Sequence, residues 1–255
     1  METILGDSLA SYILDLCPDE SVRIETSNLQ TTATLMDRDL SFIISRYGCV
    51  ILPNPNCYVY DAYDWQHRRE LIKSMIRHRL GLSTRFYART LKVKPVSQDE
   101  YDSFMEISHP SGTVSAVVVY GLYHKDGTLI SVMSFAKQLT RRGYHWWIMR
   151  YATRPNTAVS GGASKLFTYF IREVDPPLVY NATPKTSEAV FDRDFKMFRE
   201  TKPSYYCRDQ ITGLYVGRLK SILIKFLDMI GLQIPGFDRV WNSGAYQMVW
   251  KKPNN

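Results

Sequence analysis

The chain has 255 residues, of which 45% are hydrophobic and 22% are charged, a composition that excludes an extended disordered protein. It contains no apolar run of about 18 residues, so neither a membrane-spanning helix nor a membrane partner is expected. The acidic N-terminal stretch does not resemble a secretory signal, and the four cysteines contain no CxxC pair. We therefore expect a cytoplasmic protein without disulfides and without a metal site built on cysteine.

The N-terminal quarter is predicted to be a small α/β region. A helix is expected over residues 9–16, ended by Pro18, and short strands are expected over residues 22–25, 40–45, 49–52 and 57–63. The last two strands flank residues 53–56 (PNPN), which are typical of a tight turn.

The most regular helical pattern follows. Asp64 is in position to cap a helix, apolar residues recur at helical spacing as far as Leu80, and Gly81 is in position to end it. We predict one continuous amphipathic helix over residues 64–80.

The net charge of +7 is concentrated in residues 66–95, which contain nine basic residues and a single acid. A localised positive field attracts polyanions, so this stretch predicts a nucleic-acid interface, or else contact with another acidic surface. A second basic patch precedes a pair of tryptophans, a combination suited to phosphate contact with base stacking. The predicted nucleic-acid contacts are Arg69, Lys73, Arg77, Arg85, Arg89, Lys92, Lys137, Arg141 and Arg142.

Beyond residue 82 the pattern alternates between strands and helices. Strands are expected over residues 85–93, 145–151, 178–181 and 197–206, with hairpins over 114–136 and 240–251. Helices are expected over 98–107, 162–174, 187–195 and 217–230. The class is therefore α/β or α+β, and we predict two domains, residues 1–82 and residues 83–255, the second ending in a helix and a hairpin.

The order hairpin, strand, glycine-rich turn into a helix, strand, helix and strand resembles the mixed sheet of GNAT-type acetyltransferases. Residues 64–89, residues 108–112 with the following hairpin, and residues 151–171 (YATRPNTAVSGGASKLFTYFI) are similar to phage and mobile-element proteins of the homing-endonuclease kind. Those proteins pair a nuclease resembling very-short-patch-repair enzymes with a GNAT-like region. Phage DNA-modification proteins of the Mom type are a more distant likeness.

The resemblance implies a site in each region. In the GNAT-like region, it implies that Gly161, Gly162 and Ala163 hold the pyrophosphate of an acetyl-CoA-like cofactor at a helix start, with Ala158 at the family's Arg or Gln position.

In the nuclease-like region, the resemblance implies that Glu25 and Asp39 are the catalytic carboxylates and hold Mg²⁺. Apolar Leu52 stands where the family has a further acid, so we expect a degenerate nuclease region.

Three functions remain open on the sequence. The favoured one is a phage or mobile-element protein that binds double-stranded DNA and has reduced or lost catalysis. The second is an enzyme, either a metal-dependent endonuclease or a Mom-type acyltransferase. The third is a phage protein that inhibits a host protein in the host cytoplasm.

Overall fold

The computed structural model describes residues 2–46, 56–140, 143–184 and 195–253, with side chains for all of these except residues 2–8, 140 and 218. The chain forms two compact units. Unit 1 contains Met1–Arg69 and Thr201–Ala245, and unit 2 contains Glu70–Thr183, the strand Lys196–Glu200 and Tyr246–Asn255. Within the described ranges, no helix has both the length and the apolar character that crossing a bilayer requires.

Unit 1 begins with a helix and a four-stranded sheet. The elements are α1 (Glu2–Leu16), β1 (Val22–Thr26), β2 (Gln30–Leu35), β3 (Leu40–Ser45), β4 (Cys57–Asp61) and α2 (Ala62–His67). The strands lie in the order β1-β2-β3-β4; the first three are antiparallel, and β4 runs parallel to β3. Leu9 and Ile13 of α1 are fully buried against this sheet, together with Phe42 of β3.

A later part of the chain completes unit 1. It contains β13 (Ser204–Asp209), α6 (Arg218–Met229) and β14 (Phe237–Asn242). Strands β13 and β14 form an antiparallel ladder of six residue pairs, and α6 packs on β13.

Unit 2 is built around a seven-stranded mixed sheet. Its elements are α3 (Arg69–Arg79), β5 (Thr84–Tyr87), β6 (Lys92–Pro95), α4 (Gln98–Ser108), β7 (Val118–Tyr123), β8 (Leu129–Thr140), β9 (Gly143–Thr153), β10 (Thr157–Ser160), α5 (Gly162–Val174), β11 (Leu178–Pro184), β12 (Lys196–Glu200) and β15 (Ala245–Lys251). The strand order is β12-β15-β11-β9-β8-β7-β6, and β5 pairs with β10 in a separate parallel ribbon.

The two faces of this sheet carry different helices. Leu166, Phe167 and Phe170 of α5 pack into the larger hydrophobic core on one face, whereas Tyr101 and Phe104 of α4 form a second core on the other. The hairpin β7–β8, the strand β9, the glycine turn into α5 and the parallel return of β11 beside β9 follow the expected order. The prediction of an α/β class with a GNAT-like mixed-sheet domain is confirmed.

Two predicted elements are wrong. The helix expected over residues 64–80 is two helices, α2 and α3, because the backbone of Arg68 leaves helical geometry, and Asp61 rather than Asp64 caps the first by accepting from the amide of Tyr63. The expected hairpin over residues 240–251 does not form, because β14 pairs with β13 and β15 pairs with β12.

The compact units also divide the chain differently from the predicted domains 1–82 and 83–255. The division falls between Arg69 and Glu70, next to the break at Arg68, and residues 201–245 return to unit 1 through the β13–β14 ladder. The strand expected over 49–52 and the helix expected over 187–195 lie outside the described residues, apart from Phe195.

Candidate functional site

The strands β9 and β11 run parallel but separate after a very short ladder. Only two residue pairs join them, Trp146 with Val179 and Trp147 with Tyr180. Met149 forms a bulge in β9 opposite β8, two residues beyond the last of these pairs. Because a bulge bends its strand and increases its twist, it accounts for the divergence of β9 from β11. The edge of β9 from Ile148 onwards therefore forms no ladder with β11.

A row of unpaired nitrogens follows the same strand. His145, Trp147 and Arg150 face β8 residues Gln138, Ala136 and Ser134 in register, which puts them on the α4 face of the sheet. Their atoms Nε2, Nε1 and Nε are buried and have no hydrogen-bond partner among the residues that the structure describes.

The ring of Trp147 stacks on Tyr180, with ring centres 5.0 Å apart. Buried polar atoms are normally paired, so the unpaired row marks the start of the divergence between β9 and β11 as chemically unusual.

The helix α5 begins immediately beyond β10. Gly161 precedes it in the left-handed region, with φ of 75°, a conformation that glycine adopts without strain. The first amides of a helix have no intrahelical partner and carry the positive end of its dipole, so the start of α5 suits an anion.

The hydroxyl of Tyr151 lies against this helix start. It accepts a hydrogen bond from the amide of Ala163, and burial raises the pKa of its phenol. A Cβ on Gly162 would lie 2.7 Å from the Tyr151 oxygen, so glycine is needed there for packing. Of the three predicted cofactor contacts, the Ala163 amide is therefore already engaged. Gly161 and Gly162, together with Ser164, line a cavity of about 260 Å³ at the helix start.

Lys165, in the first turn of α5, has a structural role. Its ammonium donates to the carbonyl oxygens of Ala88 at 2.8 Å and Leu91 at 2.6 Å. These bonds fix the turn between β5 and β6 against the start of α5, and they leave Lys165 unsuited to contact a ligand phosphate.

Arg85 is the cation closest in register to the glycine turn. It pairs with Ala158 in the parallel β5–β10 ribbon, while the neighbouring pair Phe86–Val159 packs against the core. Side chains alternate along a strand, so Arg85 projects from the outer face, where it is exposed. It forms no ion pair or hydrogen bond with any residue that the structure describes. An exposed guanidinium therefore lies one strand away from Ala158.

The predicted nucleic-acid contacts of α3 are partly engaged within the protein. Arg69 donates to the Trp65 carbonyl and lies 5.5 Å from its ring, and Lys73 pairs with Glu70 at 3.2 Å. Arg77 approaches the Leu82 carbonyl at 3.5 Å.

The contacts predicted beyond α3 are more exposed. Arg89 covers the ring of Tyr87 at 5.3 Å, and Lys92 is exposed on β6. Lys137 covers the ring of Trp146 at 5.2 Å. Arg141 and Arg142 lie outside the described residues.

The two carboxylates predicted for the nuclease region do not come together. Glu25 lies opposite Thr32 on exposed β1 and pairs with Arg23. Asp39 follows the 3₁₀ turn Met36–Arg38 between β2 and β3, at the end of the β1–β2 ladder away from the turn that joins those two strands. About 10 Å of strand separates Glu25 from that end. Among the described residues, no group of three His, Cys, Asp or Glu side chains could hold a metal ion.

Unit 1 contains a charged cluster that sequence reasoning missed. Arg208 and Asp61 form an ion pair of 2.5 Å with side chains only 7% and 10% exposed, and the second carboxylate oxygen of Asp61 is buried with no partner in the described part of the chain. Burial, with the nearby Asp61 charge, raises the pKa of Asp64 to about 6. A cavity of about 710 Å³, lined by residues including Tyr63 and Arg208, lies beside the cluster. The ion pair joins residues 147 positions apart, so no local pattern predicts it.

No family model matches the sequence, and no curated protein matches it. Among solved structures, a chain of the NatB acetyltransferase complex bound to CoA and MES is 13% identical, covers 64% of this chain and 99% of that chain, and has a TM-score of 0.38. A chain of the NatB complex bound to a bisubstrate inhibitor is also 13% identical, covers 64% of this chain and 92% of that chain, and has a TM-score of 0.38. The structure described as histone acetyltransferase HPA2 and related acetyltransferase from Corynebacterium glutamicum is 13% identical, covers 65% of this chain and 98% of that chain, and has a TM-score of 0.39. All three similarities extend over about two thirds of this chain.

Proposed function

We propose that unit 2 binds a cofactor of the acyl-CoA type and acts as an acyltransferase. The observation that carries this proposal is the divergence of β9 from β11 beside the glycine turn that opens α5. A strand edge with free peptide groups suits an extended ligand arm that itself contains amides, because the arm can hydrogen-bond as an added strand would. A helix start next to that edge suits phosphate.

The residues of this chain divide the binding between them. The amides at Gly162 and Ser164 would face the phosphates, and Arg85 would supply the cation that Ala158 lacks. The unpaired nitrogens of Trp147 and Arg150 would donate to a carbonyl oxygen near the strand divergence. The bound cofactor would supply the activated acyl group, while these residues hold and orient it.

Calorimetry of the full chain with CoA tests the proposal. Ser164 is exposed in the first turn of α5, so Ser164→Glu places a carboxylate where the phosphates would lie while suiting the helix dipole. We expect the dissociation constant for CoA to rise at least about tenfold. Thr168→Glu, exposed one turn later on the same helix, is the matched control and leaves the affinity unchanged.

Pantetheine, which lacks the phosphates, separates the two parts of the site. Arg85→Ala weakens binding of CoA but not of pantetheine if the guanidinium contacts phosphate. Failure of the wild-type chain to bind CoA at about 1 mM, a concentration that detects affinities weaker than typical for cofactors, would contradict the proposal.

A second candidate function, nucleic-acid binding, is favoured by a different observation. Arg85, Arg89 and Lys92 are exposed on neighbouring turns and strands beside exposed Tyr87, and none has an acidic partner among the described residues. Exposed cations beside an aromatic ring suit a phosphate backbone and a stacked base. If Arg85 holds the cofactor phosphate, Arg89 and Lys92 remain for nucleic acid, and the two candidates together would describe an acyltransferase whose acceptor is carried by nucleic acid.

Salt dependence tests the second candidate. The logarithm of the DNA affinity falls with the logarithm of salt by about 0.9 per phosphate contact, so Lys92→Ala reduces the slope by about 1. Lys252→Ala is the control, because Lys252 is exposed but paired with Asp175. An affinity for DNA that is insensitive to salt would remove this candidate.

A further inference from the structure

One face of α6 in unit 1 is apolar and open to solvent. Five large side chains recur along it at three- and four-residue spacing, and Ile230 and Leu232 follow them, all between 52% and 84% exposed: Leu219, Ile222, Leu223, Phe226, Met229, Ile230 and Leu232. Such a stripe normally faces a protein interior.

The opposite side of α6 is fixed to unit 1. Ile224 is buried, Asp228 accepts from Arg239 at 2.6 Å and from the hydroxyl of Tyr205 at 2.6 Å, and Lys225 donates to Ser204 at 3.1 Å. These contacts set the rotation of the helix, so the apolar stripe cannot turn inwards without breaking them.

The size of the stripe matches that of a specific interface. The seven side chains together expose on the order of 700 Å² of apolar surface, more than the largest patch of a typical monomer. Each partner of a standard interface buries roughly 800 Å². One helix face of this size can therefore supply most of a stable interface when it meets an equivalent face.

Charge decides between the occupants. The five stripe positions of α6 are uncharged, so the stripe can pair with itself about a twofold axis without opposing like charges. A lipid surface would need free cations beside the stripe, but the two lysines of α6, whose side chains the structure describes, are engaged: Lys220 covers the ring of Phe237 at 4.5 Å and Lys225 covers that of Tyr205 at 5.0 Å. Unit 1 as a whole is nearly electroneutral, with 11 Lys and Arg against 13 Asp and Glu in residues 1–69 and 201–245.

We propose that α6 is a self-association surface on which a second copy of this chain docks, helix against helix, to form a symmetric dimer. Leu223 and Phe226, near the middle of the helix, lie closest to the twofold axis in this arrangement. The proposal does not depend on the function proposed for unit 2.

Light scattering across a range of protein concentrations tests the proposal. The wild-type chain is expected to be dimeric at about 100 µM, a concentration at which even weak specific interfaces are occupied. In a symmetric dimer, Leu223→Glu places one carboxylate from each copy in the interface, so it should raise the dissociation constant of the dimer at least about 100-fold. Leu29→Glu, which charges a similarly exposed leucine of unit 1 between β1 and β2, leaves the dimer intact.

A covalent readout keeps the test independent of folding effects. Leu223→Cys is expected to yield an oxidation-dependent dimer, whereas Leu29→Cys is not. A monomeric wild-type chain at 100 µM, a dimer that survives Leu223→Glu, or a monomer that binds lipid vesicles through α6 would each overturn the proposal.

Discussion

Replacement of Asp64 by asparagine should stabilise unit 1 in a pH-dependent way. The pKa of Asp64 is raised from 3.8 to about 6, first by burial and then by the neighbouring charge of Asp61. Because its pKa is higher in the folded than in the unfolded state, the folded protein holds the proton more tightly. Below about pH 4 the carboxyl is protonated in both states and does not lower the free energy of unfolding. Above about pH 6 it is ionised in both states, and the full destabilisation is present.

The magnitude follows from the shift. About two pKa units correspond to nearly 3 kcal/mol of unfolding free energy. The net effect is smaller, because the Asp64 side chain keeps partial solvent contact and its charge interacts favourably with the dipole of α2. We therefore expect Asp64→Asn to gain on the order of 1 kcal/mol at pH 7.5, and much less at pH 4.5.

Hydrogen exchange of peptides from α2 and β4 measures this gain within unit 1, without requiring the whole chain to unfold in one step. Asp15→Asn, which removes an exposed acid from α1, controls for the change in net charge. A gain that is equal at both pH values, or a loss of protection at pH 7.5, would refute the reasoning.

Three further predictions concern single side chains. Arg208→Met leaves the buried carboxylate of Asp61 without its cation and should destabilise unit 1 by about 3–5 kcal/mol, measured by denaturant unfolding, whereas a change below 1 kcal/mol would contradict the buried ion pair. Lys165→Met leaves two backbone carbonyls unpaired and should cost about 1–3 kcal/mol in unit 2, with unchanged exchange in the β5–β6 turn as the contrary result. Gly213→Ala adds a Cβ that collides with the ring of Tyr63 at a residue with φ of 69°, so thermal unfolding should begin several degrees earlier, on the order of 1–3 kcal/mol; an unshifted transition would be inconsistent with this contact.

The mixed sheet of unit 2 was predictable because its signals are local. Ser97 accepts from the amide of Glu100 as a helix cap should, and the glycine-rich turn leads into α5 through Gly161. The β7–β8 hairpin has a largely apolar run on each side of a glycine turn.

The parts that were missed depend on partners far away in the chain. Strand β2 (QTTATL) alternates buried and half-buried positions, but its threonines hide the hydrophobic pattern. The pairing of β14 with β13 rather than β15 is a tertiary choice that a turn at Ser243-Gly244 does not reveal.

The candidate site likewise combines a feature that the sequence shows with features that depend on long-range pairing. The glycine turn was visible in the sequence, but the position of Arg85 opposite Ala158 depends on the parallel pairing of strands more than 70 residues apart. The early end of the β9–β11 ladder and the row of unpaired nitrogens on β9 likewise have no local signature.

The central claim is that the start of α5 and the free edge of β9 form a cofactor site, and a paired calorimetric titration with CoA tests it most directly. We expect binding to the wild-type chain and to Thr168→Glu, with affinity at least about tenfold weaker for Ser164→Glu. Equal affinity for all three chains would contradict a phosphate site at this helix start, and absence of binding to the wild-type chain would contradict the cofactor site itself.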